Sequence, residues 1–321
     1  MLRLCALCWC LILLCSVRAG EPLKIAYSDW PGWTAWEIAI QKGWLKEAGI
    51  AAEFIWMEYV PSMEAFQAGK VDAVTVTNGD QLVMAAAGKD SRAILVHDYS
   101  FGNDMVIGRP GVQSIRDLRG KKVAVEVGFV DHLLLLKALE MNGMKESDIT
   151  IVNAPTNDMP QILASGEVAA VCAWYPVSGQ ALAMVPGSKP LFTSREVPGL
   201  IYDLTVVDPQ SLLLRRAEWA KLVALWPRIV AFIENPATRE EAIRIMAARV
   251  RVAPEQYATA LPGTKFLTVQ EMKRAFTPSS GLDSVLGSSR VVHAFNLANK
   301  VYSANLDPAK FLEPSLVMEL P

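Results

Sequence analysis

Past its first 15 residues the 321-residue chain has one cysteine, Cys172, which excludes an internal disulfide framework for the rest of the chain. An excess of one charge is also missing. The 31 basic and 33 acidic side chains nearly cancel to −2, which argues against a strongly basic nucleic-acid binder. After the first 20 positions no apolar run approaches the roughly 18 residues that a membrane span needs. The three histidines, His97, His132 and His293, lie far apart and share no metal-ligand spacing with one another or with Cys172. Phosphate-loop, nucleophile-elbow and zinc-protease motifs are absent as well. Neither a metal nor a cofactor is expected, and the pattern does not point to an enzyme.

What is present begins with a leader. Met1-Leu2-Arg3 precedes an apolar run from Leu4 to Val17, and small residues surround Ala19. A basic start, a short hydrophobic centre and a small-residue end read as a secretory signal over residues 1–19, so a periplasmic location is expected. Cys5, Cys8, Cys10 and Cys15 all fall inside it. Lipid anchoring at Cys15 is a weaker alternative, because Leu14 stands where a small residue is wanted. Cys172, in the apolar stretch Val168–Trp174, reads as a small hydrophobe buried in a strand.

Two stretches repeat the same order of elements. In the first, strands near Leu23–Tyr27, Ala52–Met57 and Val71–Thr77 alternate with helices over 33–42 and 61–68. In the second, strands at Lys122–Glu126, Ile149–Asn153 and Val168–Trp174 alternate with helices over 131–141 and 158–164. The offset from Ile25 to Val123 is 98 residues, from Ile50 to Ile149 it is 99, and from Gly69 to Gly166 it is 97. Alternation of this kind predicts an α/β fold with parallel sheets covered on both faces. Tyr99–Ile107 and Tyr202–Asp208 read as two strands that cross between the units, and the rest, from Pro209 onward, reads as helices that complete the first. Two lobes joined by a two-segment hinge are therefore expected: 20–101 as the first part of lobe one, 102–204 as lobe two, and the mainly helical 205–321 as the second part of lobe one.

In open α/β sheets, ligands bind beyond the carboxyl ends of the strands. Those ends carry Asp29-Trp30-Pro31-Gly32-Trp33, Thr77-Asn78-Gly79-Asp80, Glu126, and Trp174-Tyr175-Pro176. Trp30, in a turn, is the better ligand candidate; Trp33 and Trp36 share a helical face and could be core. Asp80 could cap the helix that follows it, and Asp131 reads as the N-cap of the helix over 131–141. No Arg or Lys occurs in these loops, whereas Asp29, Asp80, Glu126 and Asp131 do, beside tryptophans and Phe129. Carboxylates with aromatic walls suit a small cation.

With these residues in view, the chain resembles the periplasmic solute-binding proteins of ABC importers, of the nitrate/sulfonate/taurine type. The resemblance is carried by Asp29–Trp33, Phe66–Ala73, Asp117–Val123, Asp148–Asn153 and Pro198–Asp203, in that order. Within the group it is most similar to binding proteins encoded beside urea-carboxylase-type enzymes, on Trp30-Pro-Gly-Trp33, Thr77-Asn-Gly-Asp80 and Asn103-Asp104. Where that pattern has Asn before a proline, this chain has Tyr175, which alters or narrows the pocket. The resemblance implies a type II binding-protein fold and a monomer that delivers a small nitrogen-rich solute to a membrane permease. Guanidinium is favoured, with Trp30 and Trp174 as stacking walls, Asp80 and Glu126 as charge partners, and Asn78, Asn103 and Asp104 as orienting groups. Trp33 and Tyr175 complete the expected set. Urea or a short amide, a quaternary amine, and an oxyanion such as sulfonate or nitrate are the alternatives. A pyrimidine-precursor synthase of the same fold would need a cysteine-rich motif that the chain lacks.

Overall fold

A computed structural model describes residues 20–321; the leader expected over residues 1–19, with Cys15, lies outside the described residues. Among the described residues, no helix is long and apolar enough to cross a membrane.

The strands are β1 (Leu23–Tyr27), β2 (Ala52–Trp56), β3 (Ala73–Thr77), β4 (Arg92–Ser100), β5 (Asp104–Gly108), β6 (Lys122–Val125), β7 (Thr150–Asn153), β8 (Ala170–Trp174), β9 (Lys189–Thr193), β10 (Tyr202–Val207) and β11 (Thr264–Phe266). They form a six-stranded sheet, β11-β4-β10-β3-β1-β2, and a five-stranded one, β7-β6-β8-β5-β9. The repeat read from the sequence is visible in the register. Ile25 in β1 lies between Phe54 of β2 and Ala73 of β3, both parallel. Val123 in β6 lies between Ile151 of β7 and Ala170 of β8, again parallel.

Neither sheet is wholly parallel, contrary to the expectation. β10 runs antiparallel between β3 and β4, and β5 runs antiparallel between β8 and β9. The cause is the crossing: a strand that enters a lobe from its neighbour arrives at the end where that lobe's parallel strands finish, and so runs back against them.

The crossings themselves are shorter than expected. Tyr99–Ile107 is not one strand; β4 ends at Ser100 in the first sheet and β5 starts at Asp104 in the second. Gly102 breaks it with φ +127°, a conformation that side-chain-bearing residues rarely adopt, and Arg195 packs against it. The expected boundary at 204/205 falls inside β10, which pairs only within the first sheet, so the return passage lies upstream, over 194–201. The two passages are tied together: Ser194 Oγ lies 2.6 Å from Ser100 Oγ and accepts from Gly102 N–H at 2.7 Å.

The C-terminal helices pack on the first sheet, with a break at Arg215 between Pro209–Leu214 and Arg216–Glu234. Trp36 and Trp226 anchor this core, their rings 5.4 Å apart and both buried. Trp36 Nε1 donates to His97 Nε2 at 3.2 Å, and burial pushes His97 down to about 3, so this histidine is neutral.

Candidate functional site

The strand ends of both sheets converge on one region, where two chambers lie between the lobes. The inner chamber, a narrow cavity of about 10 Å³, is walled by the rings of Trp30, Trp33, Tyr59 and Trp174, with Thr77, Val130 and Ile201 filling between them. Asp104 and Asp203 are its ionisable lining residues apart from Tyr59, and among the described residues no Lys or Arg lines it.

The local sequence explains how each wall is set. Pro31 at the first position of the short helix Pro31–Thr34 turns the chain directly after Trp30. Gly32 then leaves room for Asp98, since a Cβ there would stand 1.7 Å from Asp98 Oδ2. Trp30 Nε1 donates to Asp98 Oδ1 at 3.0 Å. Tyr59, first residue of the helix Tyr59–Gln67, stacks on Trp33 (centroids 5.2 Å apart, planes at 22°) and meets Trp174 edge-on at 5.3 Å. Its hydroxyl donates to Asp80 Oδ2 at 2.6 Å and accepts from Thr77 N–H at 3.1 Å.

Around this chamber five aspartates are buried: Asp80, Asp98, Asp104, Asp131 and Asp203. Burial pushes Asp80, Asp98 and Asp104 up to about 7, and holds Asp131 and Asp203 well above the usual carboxylate range. Mutual repulsion adds to this, between Asp104 and Asp80, Asp131 and Asp104, and Asp203 and Asp98 among others. Asp98 and Asp203 face each other directly across β4 and β10, and Oδ2 of each is buried with no hydrogen-bond partner. Asp104 Oδ2 and Asp131 Oδ1 are buried with no hydrogen-bond partner. An acid cluster this deep demands protons or a cation.

The outer chamber, about 200 Å³, lies on the other side of Tyr59 and Trp174, which line both. Ser28, Asp29 and the segment Trp56–Pro61 come from the first lobe; Glu126, Pro155–Asn157 and Trp174 come from the second. Trp174 Nε1 donates to Asp29 Oδ1 at 3.0 Å, a bond between the lobes.

Of the residues expected from sequence, Trp30, Trp33, Asp104 and Trp174 line the inner chamber. Glu126 is displaced outward: it lines the outer chamber and accepts from Thr156 N–H and Oγ1. Asp80 does not line the inner chamber and meets it through its hydrogen bonds with Tyr59 and Thr77. It is not a helix cap; Thr77 Oγ1 caps by accepting from Asp80 N–H. Asp131 is not a cap either. Phe129 holds that position, and Asp131 Oδ2 accepts from Thr156 Oγ1 at 2.9 Å.

Three expected residues are held in structural bonds. Asn78 donates to Ser288 Oγ and accepts from Tyr202 N–H. Asn103 donates to Thr264 Oγ1 across the crossing. Tyr175 packs on Tyr257, lines neither chamber, and precedes a cis proline. Tyr59, Asp98 and Asp203 were not expected. The strand-end rule applied to β2 would have marked Tyr59, whereas Asp98 lies inside β4 and Asp203 at the start of β10, where the rule is silent.

Residues 30–187 match the family described as NMT1/THI5 like. A protein of Brucella abortus, named only as a putative binding protein, is 27% identical over 259 residues, 78% of either chain. Among solved structures, the periplasmic aliphatic sulphonate-binding protein of Escherichia coli superposes with a TM-score of 0.76 at 19% identity, over 93% of this chain and 99% of that one. The desulfurization enzyme DszB superposes at 0.64 with 16% identity, over 92% and 97%. The fold is thus the type II periplasmic binding-protein fold, which carries both binding proteins and an enzyme.

Proposed function

We propose that this chain is an exported solute-binding protein of an ABC importer. Its lobes close on a small nitrogen-rich cation, with guanidinium the favoured ligand, and it hands that cation, as a monomer, to a membrane permease. The observation that carries the ligand class is the inner chamber: aromatic rings and buried carboxyls with no Lys or Arg in its lining. Guanidinium fits both parts, since its N–H fork matches carboxylate oxygens and its face stacks on indole. Asp104 Oδ2, buried and without a donor, is the acceptor such a fork would find first.

A binding role rather than a catalytic one is supported by the lone described thiol. Cys172 is buried inside β8 and held well above its ordinary pKa, the opposite of an activated nucleophile. The sulphonate named for the Escherichia coli protein supplies the second reading. A sulphonate would meet five buried aspartates here and no basic side chain in the lining, which opposes it. Titration calorimetry with guanidinium, urea, choline, taurine and nitrate decides between them. Guanidinium should bind tightest; tight taurine binding without guanidinium binding would overturn the reading.

A further inference from the structure

The outer chamber has the same chemical character as the inner one without sharing its acids. Its lining holds three carboxyl groups, Asp29, Glu58 and Glu126, and no Lys or Arg. Asp29 and Glu58 come from the first lobe and Glu126 from the second, so the three are assembled only when the lobes are together. Glu58 stands at the N-cap of Tyr59–Gln67 yet makes no capping bond, which leaves its carboxylate unused by the helix. Ser28 Oγ lines the same chamber and is buried without any hydrogen-bond partner. A buried hydroxyl of this kind costs free energy unless something in the chamber pairs with it. Trp56 and Trp174 supply ring faces and edges. Arg249, stacked 4.0 Å from the Trp56 ring, is ion-paired with Glu37 and is not part of the lining.

We propose that the outer chamber is a second cation subsite, which takes an ammonium or guanidinium group while the inner chamber holds the first. The positive group is either the far end of an elongated dication or a second small cation waiting outside the partition. The Tyr59 and Trp174 rings, in edge contact, line both chambers, so a tether between two positive groups would have to draw one ring away from its hydrogen bond to Asp80 or Asp29. This proposal rests on the reading of the inner chamber as a cation site.

The test is calorimetry on the full chain with three ligands: guanidinium, butylguanidine, and butylguanidine carrying a terminal amine. Three partly exposed carboxylates are together expected to favour the aminated ligand over butylguanidine by about tenfold, less at high salt. Glu58→Gln, a change at the chamber's rim, should shrink that ratio to roughly threefold. If a second small cation is the occupant, guanidinium alone shows two binding events, and Glu58→Gln removes the weaker. One guanidinium per chain, with no gain from the amine, overturns the second subsite and leaves the inner one standing. Failure of all three ligands to bind overturns the inner site, and the second subsite with it.

Discussion

Lowering the pH from 8 to 6 should weaken guanidinium binding, and the structure sets the size of the effect. Guanidinium keeps its charge throughout this range, so only the protein titrates. Asp80, Asp98 and Asp104 are pushed by burial from 3.8 up to about 7, and Asp131 and Asp203 stand well above the ordinary value. A cation competes with the protons these groups hold. Each carboxyl with a pKa of about 7 goes from about 90% ionised at pH 8 to about 10% at pH 6, so one displaced proton weakens binding about tenfold, or about 1.4 kcal/mol. Two displaced protons make it about a hundredfold. Calorimetry at pH 6, 7 and 8, repeated in buffers of different ionisation enthalpy, reads the affinity and the protons released. The same groups tie the stability of the folded chain to pH. Their folded pKa values are raised, so their stabilising contribution is complete below about 4 and is lost as pH rises through about 7. Affinity that stays flat or improves on acidification, or binding without proton release at pH 7, would refute the reasoning.

Asp104→Asn should raise the melting temperature at pH 8, because it removes a buried charge whose displacement from 3.8 to about 7 corresponds to about 4 kcal/mol at most, while weakening guanidinium binding; equal destabilisation at pH 5 and pH 8 would contradict this. Trp174→Phe keeps a ring in the partition but leaves Asp29 Oδ1 without its donor, so closure and affinity should weaken by about 1–3 kcal/mol. Small-angle scattering at saturating ligand, together with titration, checks it, and unchanged values for both would remove the inter-lobe bond as a latch. Gly32→Ala should destabilise the fold by roughly 1–3 kcal/mol in thermal melts, since its methyl group would overlap Asp98 Oδ2. Adding Asp98→Ala should recover part of that loss, and no recovery would show that the clash lies elsewhere.

The fold was legible because its periodicity is local. β-branched strands alternate with helices at a nearly constant offset, and the register of β1 and β6 bears out that pairing. The strands the pattern did not mark are those that owe their pairing to neighbours. β9 is an edge strand with Pro190 inside it, and β11 is a three-residue strand at the other sheet's edge. The aromatic half of the site was legible by the strand-end rule, through Trp30, Trp33 and Trp174. The acids were harder. Asp98 and Asp203 sit inside strands that read as plain crossings, and only the pairing of β4 with β10 brings them face to face. Asn78, Asn103 and Tyr175 carried the right chemistry in the right segments, but long-range partners, Ser288, Thr264 and Tyr257, claim them.

On the proposed cation reading, Asp80 is where this chain would depart from an anion receptor. Backbone N–H groups at helix starts are what an oxyanion would seek at strand ends. Here the chain's own groups use them. Tyr59 Oη accepts from Thr77 N–H and donates to Asp80 Oδ2, and Thr77 Oγ1 accepts from Asp80 N–H. The Asp80 carboxyl, buried in the first turn of the helix Asn78–Ala86, thus fills space at the strand ends that an oxyanion would seek. An incoming oxyanion would have to displace it and then face Asp104, Asp131 and Asp203, whereas an incoming cation leaves those bonds intact and relieves the repulsion around them. On this argument, selectivity comes less from the rings, which stack on any planar ligand, than from a carboxyl that fills the anion position before the ligand arrives.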